Sequence, residues 1–239
     1  MKTFLNVLLG LFLCSTGWGS ADPAALSVET AFEFETHFLR KDDAPSDTLS
    51  KWRMWRSKTE VEVWQIGSKD GEVWGLDGAG GVMFKRIFHP ERTEIVFTAM
   101  DLKVIGHPVD WDRCFSLVSK KFIDECLKPA GKESFQNQEL ECFEGEAQGS
   151  RWRLLWNDSL KMAVQVRVEN VKGTSITKLS ESHPLAKQPW QRLRERGYQA
   201  MDFSDLGDND TDPTVQRLMR RMGMKCTHGS CGSLCLIPQ

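Results

Sequence analysis

Between Lys51 and Met100 the chain alternates apolar and polar residues, and turn clusters cut each run short. In KWRMWRSKTEVEVWQI, Val61 and Val63 alternate with Glu60 and Glu62, and Trp52 alternates with Arg53. GSKDG (67–71) and GAGG (78–81) are turn clusters, and EVWGLD between them reads as a strand. VMFKRIFH and TEIVFTAM are two further strands, separated by Pro90-Glu91-Arg92. A period of two puts successive side chains on opposite faces of a strand. Short strands with turns about every ten residues specify an antiparallel meander. Upstream, VETAFEFETHFLR sets Phe32, Phe34 and Thr36 against Glu33, Glu35 and His37, another strand, followed by the polar loop KDDAPSDTLS.

The period then changes. DWDRCFSLVSKKFIDECL (110–127) places Trp111, Cys114, Phe115, Val118, Phe122, Ile123 and Cys126 at steps of three and four, which predicts one amphipathic helix. Lys128-Pro129-Ala130-Gly131 is expected to end it. Strands resume in ESFQNQELECFEGEA, SRWRLLWND, LKMAVQVRVEN and TSITKLSE. After Ser182 the alternation stops. A helix is expected from Pro189 to Arg196, then an acidic loop, then a second helix with Asp212 as N-cap and Pro213 in its first turn. The expected class is α+β, mostly β. Nine or ten antiparallel strands, by the number of alternating runs, curl into a half-barrel. A plug helix at 110–127 lies across the concave face, and a C-terminal helical tail carries cysteines.

The N-terminus has a basic start at Lys2, an apolar run from Phe4 to Cys14 and a small-residue exit at Gly19-Ser20-Ala21. That pattern is a secretory signal peptide over 1–21, too short an apolar run to span a bilayer. Cys14 follows Leu11-Phe12-Leu13 rather than the small residues of a lipidation site, so no lipid anchor is expected there. The expected location is periplasmic, with a sheet domain over 22–185, a C-terminal extension over 186–239 and no membrane span in the mature chain. The net charge of −2 sets up no long-range field and gives no reason to expect a nucleic-acid partner. Nine Trp and 13 Phe stand beside a single Tyr. Such rings suit a core and equally the wall of an apolar cavity.

An exported chain with a meander, a helix and then a second meander resembles the LolA/LolB type of lipoprotein-localisation carrier. The most telling stretch is RWRLLWNDSLKMAVQVRVEN. There Trp156, Asn157-Asp158 and Leu160 hold the places of the family's tryptophan strand, turn and leucine-led strand. Lys161-Met162 stands where the family often has proline. The resemblance runs from about Val28 to Glu181 and leaves residues 186–239 outside it. It implies a concave apolar face that shelters an acyl chain, each CH₂ kept from water contributing about 0.8 kcal/mol. The inward candidates are Trp52, Trp64, Trp74, Phe84, Phe97, Trp152 and Trp156. The carrier also has an arginine inside the barrel that anchors its closed state, to which no position here is assigned.

Without Cys14, six cysteines are left: Cys114, Cys126, Cys142, Cys226, Cys231 and Cys235. An even number in an oxidising compartment favours disulfides. On an unbroken helix Cys114 and Cys126 would sit about 18 Å apart, so each must look elsewhere. Cys142 is a partner for one of them and the tail for the other. A metal reading of the tail would use Met219, Met222, Met224, Cys226 and His228, soft ligands of the kind copper(I) prefers. A redox pair at Cys231 and Cys235 is a third reading. The chain has no G-x-S-x-G, no H-E-x-x-H and no P-loop, and no enzyme or cofactor is expected. The favoured function is a non-catalytic carrier of an acyl chain or other apolar ligand. The alternative is an accessory protein of an envelope complex whose stapled tail docks a partner, and copper handling by the tail is a minor variant.

Overall fold

The computed structural model describes residues 29–41, 48–106, 109–192, 197–209 and 211–222. The expected signal peptide over 1–21, the metal candidates Met224, Cys226 and His228, and the cysteines Cys226, Cys231 and Cys235 all lie outside the described residues. The first meander is β1 (Thr30–Arg40), β2 (Thr48–Arg56), β3 (Glu60–Gln65), β4 (Asp70–Leu76), β5 (Val82–Phe88) and β6 (Thr93–Phe97). Three short helices follow: α1 (Ala99–Val104), α2 (Trp111–Ser116) and α3 (Lys120–Cys126). The second meander is β7 (Lys128–Phe135), β8 (Gln138–Ala147), β9 (Ser150–Asn157), β10 (Met162–Asn170) and β11 (Gly173–Pro184). The chain then makes a 3₁₀ turn (Leu185–Lys187) and continues through β12 (Gln199–Asp202), α4 (Asp205–Asp208) and α5 (Pro213–Arg221).

The two meanders join into one sheet because β1 pairs with β11. The strand order is β12-β6-β5-β4-β3-β2-β1-β11-β10-β9-β8-β7. Every pair is antiparallel except β12 with β6, which is parallel. The mostly β, open curved sheet is the class read from the alternation, with one parallel edge strand added. No helix among the described residues is long and apolar enough to cross a membrane.

Three local readings are corrected. The single helix over 110–127 is two helices. Leu117 turns the chain at φ 68°, and the Ser119 side chain caps α3 by accepting from the Phe122 amide. The helical stretch does stop before Lys128, as expected, and Lys128 to Gly131 opens β7 directly. β7 is an edge strand, where Pro129 removes no needed donor and a bulge between Pro129 and Lys132 absorbs the irregularity. TEIVFTAM ends as a strand at Phe97, because Thr98 and Asp101 form a capping box that starts α1. Pro189 to Arg192 is not helical; those residues lie against the sheet as a strap.

Two buried clusters form the core. The first holds Phe32, Phe34, Trp52, Met54, Trp74 and Phe97 of the first meander, together with Phe115 of α2 and Val215, Leu218 and Met219 of α5. The second holds Trp152, Leu154, Trp156 and Phe143 beneath Ile123 of α3. Neighbouring residues on β9 divide between them, with Leu155 in the first cluster and Leu154 in the second. That part of the sheet is therefore buried on both faces.

Candidate functional site

Register decides which side chains share a face. Trp74 pairs with Phe84, and Phe84 pairs with Phe97. The rings form a ladder across β4, β5 and β6, with centroids 4.2 and 5.3 Å apart. Phe203, from the C-terminal extension, adds a fourth ring stacked on Phe97 at 4.5 Å. Through Val61, the same face continues to Arg56, Met54 and Trp52 on β2 and to Phe32 and Phe34 on β1. Trp52 stacks on Phe34 at 4.4 Å and donates its indole N–H to Thr36 Oγ1.

Of the seven sequence candidates, four lie on this face: Trp52, Trp74, Phe84 and Phe97. Trp64 does not. It pairs with Arg53 and shares the parity of Glu60 and Glu62, so it points to the opposite face. Trp152 and Trp156 belong to the second cluster, under α3. The structure thus divides the candidates among three environments and does not gather them into one lining.

One residue the sequence reading passed over stands at the centre of the face. Arg56 is fully buried, in the row of Trp52 and Met54. Its guanidinium lies 4.9 Å from the Phe32 ring and 4.2 Å from the Phe115 ring. Nη1 donates to the Phe115 carbonyl at 2.9 Å and Nη2 to the Leu160 carbonyl at 2.7 Å, while Nε has no partner. Burial pulls its pKa down to about 10. The Phe115 carbonyl is one of the last of α2, left over by the helix's own hydrogen bonding, and a cation there also suits the helix dipole. Leu160 sits in the β9–β10 turn, where its amide donates to Asn157 Oδ1 at 3.0 Å. A single cation therefore ties the plug helix to the turn singled out by the family resemblance.

The plug carries other polar groups shifted by burial. Burial, with Asp110 adding, pushes the Asp112 carboxyl up, and its Oδ1 has no partner. Burial raises the Cys114 thiol and lowers Arg113. Cys114, Cys126 and Cys142 form no disulfide with one another, and the expected bridges to Cys226, Cys231 and Cys235 fall outside the described residues. Cys142 belongs to the first cluster and Cys126 packs on the second, so the sheet separates those two. Met219 is buried in α5's apolar stripe and Met222 packs on the same cluster. No group of three His, Cys, Asp or Glu among the described residues is placed to hold a metal ion.

The extension wraps one edge of the sheet. On the face of Trp64, Trp190 lies under Arg53 at 5.0 Å and edge-on to His183, and Arg192 pairs with Glu60 and Glu62. Tyr198 meets His89 at 3.1 Å, β12 extends the edge, and Phe203 and α5 come down on the aromatic face.

The sequence matches no family model and no curated protein. Among solved structures the fold is similar to PNGF-II, with TM-score 0.42 and 8% identity over 82% of this chain. This chain spans 34% of PNGF-II's length. It is also similar to MucB of the Pseudomonas aeruginosa MucA/MucB complex, with TM-score 0.37, 12% identity and 72% of this chain covering 58% of that one. A LolA superfamily protein from Nitrosomonas europaea is similar at TM-score 0.29 and 9% identity, over 69% of this chain and 88% of that one. These are likenesses of fold.

Proposed function

We propose that this is an exported, non-catalytic protein that shelters an acyl chain or other apolar ligand on the aromatic face of β1 to β6. The observation that carries the reading is the kind of cover that face has. It is roofed by helices of four to nine residues rather than by a second sheet. Isolated helices below about 12 residues are marginal in water, so such a cover holds only through its docking contacts. Arg56 is the docking contact for α2, and it grips main-chain carbonyls that are regained whenever the plug returns. In this reading Arg56 plays the part of the carrier's barrel arginine, and the structure described is the closed state.

The burial of the rings supports a second reading. Trp52, Trp74 and Phe97 are 5%, 8% and 5% exposed, as in a filled core. The face would then be scaffold, and the protein an accessory component of an envelope complex. Native mass spectrometry of protein purified from a periplasm without detergent separates the two. Added mass that dissociates as lipid is expected. A bare polypeptide mass, together with no uptake of a fluorescent acyl probe after organic extraction, would remove the carrier reading.

A further inference from the structure

We infer that α5 and Phe203 are a built-in competitor for the ligand face, and that the ligand they stand in for is apolar with a cationic head. The inference rests on the carrier reading and specifies its ligand. Phe203 continues the ladder of Trp74, Phe84 and Phe97 as a fourth ring contributed from outside the sheet, the place an apolar guest would fill. Helix α5 lays Val215, Leu218 and Met219 on the same cluster.

Its tether is ionic. Arg221 pairs with Asp70 and, at 2.5 Å, with Glu91, and lies 4.9 Å from the Phe88 ring. Arg86 pairs with Glu72 and, at 3.6 Å, with Asp70. Remove Arg221 and Glu91 loses that partner, while Asp70 and Glu72 are left to Arg86. The end of the aromatic ladder would then be an acidic rim. An anionic head is repelled there, and a cationic head takes over the contacts of Arg221.

The competitor lowers apparent affinity by the fraction of molecules in which α5 has lifted. Binding of dodecyltrimethylammonium and of dodecyl sulfate, both well below micelle formation, is read by tryptophan fluorescence on the full mature chain. Hydrogen exchange over 213–221 is followed in parallel. The cationic amphiphile is expected to bind at least about tenfold more tightly than the sulfate and to speed exchange in α5. Arg221→Ala is expected to tighten cationic binding by about a further tenfold. Phe203→Ala, which leaves every charge in place, is expected to do so more weakly. Arg192→Ala breaks ion pairs on the opposite face and is expected to change neither.

Equal or better binding of the sulfate would overturn the cationic head. Amphiphile binding unchanged in both Arg221→Ala and Phe203→Ala, with α5 exchange accelerated, would overturn the competitor and leave the carrier reading standing. If neither amphiphile binds any variant although α5 exchanges freely, the carrier reading fails and this inference with it.

Discussion

Helix α2 and helix α5 both cover the aromatic face, yet they are held by opposite means. For α2 the charge belongs to the sheet: Arg56 is sealed inside and donates to backbone carbonyls. For α5 the charge belongs to the cover: Arg221 reaches back to carboxylates at a partly open edge. A buried cation without a counter-ion loses its hydration in full and is compensated only by hydrogen bonds and ring faces. A partly exposed ion pair is screened by salt and contributes little. The plug should therefore behave as part of the core, and α5 as a separable unit.

The strongest way to break that contrast is Arg56→Ala. It empties a buried side chain's volume and leaves two carbonyls without their donor, for an expected loss of about 3 kcal/mol in urea unfolding. Arg56→Met restores volume but not the hydrogen bonds, and its loss should be smaller. A methionine variant more stable than wild type would mean that Arg56 is kept for opening the plug and not for stability. Next comes Gly145→Ala. A Cβ there would lie 2.5 Å from the Cys126 carbonyl oxygen and 3.0 Å from Leu127, forcing the end of α3 off β8. The expected cost is about 2 kcal/mol with α5 exchange unaffected. Coupled loosening of α5 would show that the two covers open together.

Much of this contrast can be read in the chain. The parity of β2 puts Arg56 in one row with Trp52 and Met54, so its inward position follows from the alternation itself. It is passed over because a charge in a strand is read as solvated by default. Parity likewise sets Trp64 with Glu60 and Glu62, away from the other aromatic candidates. The helix break at Leu117 has its marks in Ser116 and Ser119, since serine competes for backbone hydrogen bonds. What alternation does not encode is the path of the described residues between 185 and 222. The strap, the parallel edge strand and the seat of α5 depend on single contacts such as Trp190 with Arg53 and Phe203 with Phe97. Those contacts lie far apart in sequence and follow no period. Nor does an even cysteine number reveal that Cys126 and Cys142 face different cores.

The α5 side of the comparison calls for smaller effects. Arg221→Ala should cost about 1 kcal/mol at low salt, because its partners are only partly screened from water. The difference from wild type should shrink in 1 M salt, where the Debye length is about 3 Å. A cost that persists undiminished in salt would mean that Arg221 is held by its packing on Phe88 and not by charge.

The smallest effect concerns how α5 begins. Asp212 caps it by accepting from the Thr214 amide at 2.6 Å and the Val215 amide at 3.1 Å. Those amides, Val215's first, hold its carboxyl below the ordinary carboxylate range. The folded pKa lies under the unfolded one, so the unfolded chain takes up this proton first as the pH falls. The stabilising contribution is complete above the ordinary aspartate value of about 3.9 and disappears as the pH drops through the lowered folded value. Exchange of the α5 amides should thus gain an acid-dependent acceleration that Asp212→Asn abolishes. In α2, Arg56 stays a cation and burial raises the Asp112 carboxyl instead of lowering it, so acid should not accelerate exchange there. An identical acid response in α2 and α5 would mean that both covers loosen through the common sheet, and α5 would lose its standing as a separate unit.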